Sequence, residues 1–234
     1  MLFRSRGYLG VGIQPMDDDI AAGLGLPKDH GEIVARVEPG QPAARAGIQQ
    51  GDVISKVNGE DVTPDNTLSY VVSNLPIGSR VPIELYRRGQ KISVTAVVGE
   101  RPPESQLQGQ LGGDKDDDDQ GDGGTGQSAQ GKATASALGA QIQALTPQIA
   151  QQLGVQSSTR GVVIAQVDPN SDLASNGLKR GDIIVGINQT PTPTVAAAAQ
   201  VIEAARRAGR DTVLLLVQRG NQPSRYVGVK LQKK

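Results

Sequence analysis

The chain has 234 residues, 24 Lys plus Arg against 24 Asp plus Glu, no Cys, no Trp and a single Phe. A formal charge of zero leaves no basic field for nucleic acid or an anionic membrane surface, and the lack of Cys removes disulfides, thiolate metal sites and a thiol nucleophile. The length suits two domains of about 95 residues joined by a linker, each able to bury one small core that scarce aromatics make aliphatic.

In chain order, residues 8–14 alternate apolar side chains with Gly10 and Gly12, the pattern of a strand approached closely on one side. Residues 20–24 form a short helix behind Asp17, Asp18 and Asp19, where negative charge suits the unpaired amides. Residues 32–37 are a β-branched strand stopped by Glu38-Pro39-Gly40. A helix of one or two turns follows over 41–46, with Pro42 in its first turn and Gly47 as its terminal cap. After Gly51-Asp52, residues 53–57 are a strand ended by the turn pair Asn58-Gly59. Leu68, Val71, Val72 and Leu75 at helical spacing predict a helix over 64–74, and residues 81–86 and 91–98 predict a hairpin around Arg88-Gly89.

Residues 100–136 are rich in Gly, Gln, Asp and Ser and nearly free of apolar side chains, so they are expected to be a flexible linker. The acidic run at 114–119 does not fit a calcium loop, because counting from Asp114 puts Asp119 where Gly is required and Thr125 where an acidic ligand is required. Beyond it the first pattern returns. Residues 161–188 align with 31–58 without a gap, with ten identities in 28 positions, which means two copies of one unit. Thr146 and Pro147 open a short helix, Thr194 caps an Ala-rich helix over 195–208, and strands are expected over 212–219 and 225–231. The predicted domains are residues 6–99 and 137–232.

The run Ala46-Gly47-Ile48-Gln49-Gln50-Gly51-Asp52-Val53-Ile54-Ser55-Lys56-Val57-Asn58-Gly59 resembles the PDZ domain. The opening Arg6-Gly7-Tyr8-Leu9-Gly10-Val11 resembles that of the first PDZ domain of DegP/HtrA envelope serine proteases. The resemblance implies a mainly β fold with short helices. Each copy would be a partly open antiparallel barrel capped by two helices, in the circularly permuted bacterial arrangement. It also implies a periplasmic location, although residues 1–5 lack a signal-peptide pattern and no apolar run reaches membrane-spanning length. Residues 1–5 are expected to be a junction, and the chain a C-terminal fragment without its protease domain.

By the same resemblance, Tyr8, Leu9, Gly10 and Val11 form the loop whose amides receive a peptide's terminal carboxylate, while the peptide adds as a strand to the edge of residues 9–14. Leu9, Val11, Ile13, Leu68 and Val72 would line the pocket for its last apolar side chain, and Gly10 would leave the peptide room. Leu138, Gly139, Ala140, Ile142, Ala198 and Ile202 correspond in the second copy, where the smaller residues predict a different, roomier pocket.

No cofactor is expected. His30, the sole histidine, sits in a Gly/Pro/Asp loop and is not reproduced in the second copy, and no Gly-x-Ser-x-Gly element accompanies it. Asp52 and Asp182, though repeated, are read as tying down their own turns rather than as catalytic. The expected partners are C-terminal or extended segments of misfolded envelope proteins and the parent protease domain. The competing expectation is a stand-alone adaptor of two PDZ domains with no protease.

Overall fold

The computed structural model describes residues 6–101 and 137–232. The predicted linker from residue 102 onward, with its acidic run, lies outside the described residues, as do residues 1–5.

Copy 1 comprises β1 (Gly7–Tyr8), β2 (Val11–Pro15), α1 (Asp18–Leu24), β3 (Glu32–Val37), α2 (Pro42–Arg45), β4 (Val53–Val57), β5 (Glu60–Asp61), α3 (Leu68–Ser73), β6 (Arg80–Arg87), β7 (Gln90–Val97) and β8 (Gly99–Glu100). Copy 2 comprises β9 (Ala140–Ala144), α4 (Pro147–Gln152), β10 (Val162–Val167), α5 (Asp172–Ser175), β11 (Ile183–Ile187), β12 (Thr190–Pro191), α6 (Val195–Arg207), β13 (Thr212–Gln218) and β14 (Arg225–Lys230). The main sheets run β2-β3-β4-β6-β7 and β9-β10-β11-β13-β14, antiparallel throughout and unclosed, with β5 and β12 appended to β4 and β11. The mainly β, two-copy architecture with short helices expected from the sequence is the one observed.

Local chemistry explains most boundaries. Asp17, Thr67, Thr146, Ser171 and Thr194 each accept a bond from the amide three residues on, capping α1, α3, α4, α5 and α6; such caps contribute about 1 kcal/mol each. The helix predicted over 64–74 starts only at Leu68. Thr63 and Asn66 bond each other's backbone in a closed turn, and Thr67 then caps the chain. The Arg88-Gly89 turn has φ of 51° and 77°, the double left-handed conformation that a two-residue hairpin requires. The strand expected over 8–14 is two strands, because Gly10 at φ 77° breaks it, and β1 turns away to pair with β8.

Each copy has its own aliphatic core. Copy 1 buries Leu9, Val34, Ile54, Leu68, Ile83 and Leu85 together, and copy 2 buries Leu138, Ile164, Ile184, Ile202, Leu215 and Val229. A third cluster belongs to both copies: Met16, Ile20, Ala21, Ile33 and Val53 from copy 1 pack with Leu214, Leu216 and Tyr226 from copy 2.

Strand register shows how the copies meet. Gln14 pairs with Ile33, Ile33 with Val53, and Val53 with Tyr86, so these four form one row across the outer face of the copy 1 sheet. Helix α1 covers that row and lies at the same time on β13 and β14 of copy 2. That double duty explains the unbroken apolar run Val213-Leu214-Leu215-Leu216-Val217. Val213, Leu215 and Val217 face the copy 2 core, while Leu214 and Leu216 face α1. By register, copy 1 has Pro82 and Glu84 where copy 2 has Leu214 and Leu216, so its own outer face offers no equivalent seat.

Candidate peptide-binding groove

The loop between β1 and β2 builds one end of the candidate site. The Leu9 carbonyl accepts the Ala43 amide at 2.8 Å and the Gly10 carbonyl accepts the Glu38 amide at 2.9 Å. With both carbonyls committed to the protein, the amides of Leu9 and Gly10 have no acceptor among the described residues. Adjacent amides left open on one side are the physical requirement for holding an anion. Next to the loop, the Tyr8 hydroxyl donates to Glu38 Oε2 at 2.6 Å, and Arg36 donates to Glu38 Oε1 at 3.1 Å. Burial and then the Glu38 carboxylate push the Tyr8 phenol up to about 12, so it remains a donor at neutral pH.

The seven residues singled out in copy 1 come together. Tyr8, Leu9, Gly10, Val11, Ile13, Leu68 and Val72 line one cavity of about 430 Å³, bounded by β2, α3 and the loop. Their placement follows from period: Val11 and Ile13 alternate inward on β2, and Leu68 and Val72 are one turn apart on α3. On its outer side β2 is the edge of its sheet, with β3 as its neighbour, so its other edge is available to an added strand.

Six further lining residues are not singled out from the sequence: Arg6, Gly7, Ser69, Tyr70, Ser73 and Arg101. Arg101 falls in the range expected to be linker, yet its amide donates to the Arg6 carbonyl at 3.4 Å and extends the β1–β8 pairing. The signal for it is the strand closing copy 1, which a two-residue pairing is too short to announce. Tyr70 is 62% exposed on the groove side of α3.

Gly10 also answers to a constraint inside the protein. A Cβ built there would collide with Cβ and Cγ of Gln41, the N-cap of α2. Glycine is needed for the left-handed backbone and for the approach of α2, which together aim the amides.

In copy 2 the corresponding residues are buried much as in copy 1, with one difference at Ala140. Leu138, Ala198 and Ile202 belong to the core and are essentially buried, and Ala140 is buried where Val11 is half-exposed. Ile142 packs partly buried against them, and a Cβ at Gly139 would meet Ser171 and Gln232. Helix α6 and β9 touch across this region. A larger concavity of about 630 Å³ in copy 2 is shallow, and none of its lining residues lies on β9 or α6.

The remaining candidates are structural. Asp52 accepts the Gln49 amide at 2.8 Å and Asp182 accepts the Lys179 amide at 2.9 Å, each tying its own turn as expected. Their side-chain partners lie beyond what the turn pattern indicates: Arg87 grips Asp52 through two bonds of 2.7 Å, and Arg219 grips Asp182 through two of 2.6 Å. His30 lies 3.9 Å from Asp61, which Lys56 holds at 3.0 Å. No serine is bonded to His30 among the described residues. Glu32, buried beside α3, accepts the Leu68 amide at 3.1 Å, and burial pushes its carboxyl up.

Comparison with known proteins gives two matches to models described as PDZ domain, at residues 7–98 and 127–218. A "Probable periplasmic serine endoprotease DegP-like" of Brucella suis is 34% identical over 96% of the chain, which covers 39% of that protein. The protein of the same description in Rhizobium meliloti is 32% identical over 96% of the chain, which covers 41% of it. The chain thus spans about two fifths of the length of these relatives. Among solved structures, "HtrA-type protease AlgW with decapeptide" is 36% identical over 42% of this chain and 30% of that one, with a TM-score of 0.39.

Proposed function

This chain belongs to the PDZ domain family, which it carries in two tandem copies, and on that premise we propose that it is the peptide-binding regulatory module of a DegP/HtrA-like periplasmic serine endopeptidase. Copy 1 takes hydrophobic C-termini or extended segments of misfolded envelope proteins and presents them to the protease domain. The observation that carries this reading is the single cavity in which the open amides of Leu9 and Gly10 stand at one end of an apolar trough formed by Val11, Ile13, Leu68 and Val72. Such an arrangement suits an anionic terminus followed by an apolar side chain, with the peptide backbone laddered on β2. Arg6 and Arg101 line the same cavity and make it more favourable to an anionic ligand. The full-length relatives are described as periplasmic endoproteases, and that kinship supports the wider activity proposed.

The test is a pair of short peptides ending in Val, identical except that one carries a free carboxylate and the other a C-terminal amide. The free acid is expected to bind more tightly by at least about tenfold, because charge-assisted bonds to the amides are lost with the carboxylate. Titration of the whole chain by fluorescence anisotropy reads this directly. Equal affinities would replace terminus capture with binding of internal segments.

A further inference from the structure

The strand that would receive the peptide is not held by its own copy alone. β2 pairs with β3 through a register shift between Gly12 and Ile13, which weakens the ladder at its centre. Beyond the shift, the Gln14 side chain crosses to copy 2 and bonds Tyr226 in both directions. Its Nε2 donates to the Tyr226 carbonyl at 2.8 Å, and the Tyr226 amide donates to its Oε1 at 2.9 Å. Tyr226 belongs to β14, the edge strand of the copy 2 sheet, so the side-chain amide acts there as one rung of an added strand.

Copy 2 reciprocates. Gln189 Nε2 donates to the Gly51 carbonyl at 2.6 Å, and its Oε1 accepts the Arg88 amide at 2.6 Å. Gln189 adopts φ 61° at the position where copy 1 has Gly59. A side chain in that region is strained, and the two cross-copy bonds account for a glutamine where the turn favours glycine. Together with the shared cluster around α1, these clamps make the position of β2 depend on the docking of copy 2.

We propose that Gln14 is a positioning residue of the copy 1 groove, through which peptide binding and the docking of copy 2 are coupled; this rests on the reading that the groove takes a peptide. A peptide laddered on β2 must find that strand ordered to its end. The Gln14–Tyr226 clamp orders it beforehand, so less conformational freedom is lost on binding. Linkage is reciprocal, and a bound peptide strengthens the clamp by the same factor.

The experiment uses the whole chain and a short fluorescein-labelled peptide ending in Val with a free carboxylate. Gln14→Ala removes the clamp. Gly228→Val acts at a distance: a Cβ at Gly228 runs into the backbone of Asp19, lifting α1 from β14 while placing a strand-favouring residue in β14. Each variant is expected to bind about 5- to 10-fold more weakly. The double variant should be no weaker than the weaker single one, because both cut the same link. A wild-type measurement guards against variants that fail to fold: saturating peptide should slow hydrogen exchange at the Tyr226 amide, which a merely structural glutamine would not produce. Unchanged affinity in both variants, or Tyr226 exchange indifferent to peptide, overturns the coupling and leaves the groove reading standing. Failure of the wild-type chain to bind the peptide at all overturns the groove reading and the coupling with it.

Discussion

Arg87→Met is expected to destabilise copy 1 by about 3–5 kcal/mol, the range for removing one partner of a buried ion pair. The Asp52 side chain is 1% exposed and the Arg87 side chain 25% exposed. Besides its two bonds to Asp52, Arg87 donates to the Gly47 carbonyl at 2.8 Å. Methionine preserves the apolar stem but leaves the carboxylate with the Gln49 amide alone, and leaves the end of α2 without its donor. Arg219→Met removes the same contacts from Asp182 and Gly177, yet Arg219 is 46% exposed, so water replaces more of what is lost and the effect should be smaller. Asp52→Asn combined with Arg87→Met should recover part of the loss, since no unpaired charge then remains inside. Urea denaturation of the single and double variants measures all of this. A loss below about 1 kcal/mol for Arg87→Met would mean that the pair behaves as a surface ion pair and that the buried-charge argument is wrong.

Features decided locally or by repetition are legible in the sequence. The caps at Thr146 and Thr194, the Arg88-Gly89 hairpin and the turns at Asp52 and Asp182 depend on residues a few positions apart, and they stand where they were expected. The Arg87–Asp52 pair is also within reach of the repeat, because Arg87 ends β6, Arg219 directly follows β13, and the two face matching acids. The junction between the copies is not legible in the same way, although Val213-Leu214-Leu215-Leu216-Val217 lacks the alternation of a one-sided strand. Such a run says that both faces are covered without saying by what. Gln14 and Gln189 signal less still, since an isolated glutamine on a strand or turn looks like solvated surface until the facing backbone is placed.

The same distinction between local and long-range causes governs the Gly10 position, where the second large effect is expected. Gly10→Ala should weaken peptide binding at copy 1 by at least about tenfold. A left-handed alanine costs on the order of 1 kcal/mol, and the added Cβ meets Gln41 before it meets anything else. The loop must shift, and shifted amides no longer converge on one carboxylate. If the collision with α2 is the cause, removing the opposing side chain should restore binding. Gln41 caps α2 without a side-chain bond, so Gln41→Gly alone costs only a few tenths of a kcal/mol. The double variant Gly10→Ala/Gln41→Gly is therefore expected to regain most of the affinity, with only the backbone strain left over. If instead the methyl group obstructs the peptide directly, the double variant will bind as poorly as Gly10→Ala. Isothermal titration with the free-acid peptide separates the two, and failure of the rescue would return Gly10 to the role of clearing space for the ligand.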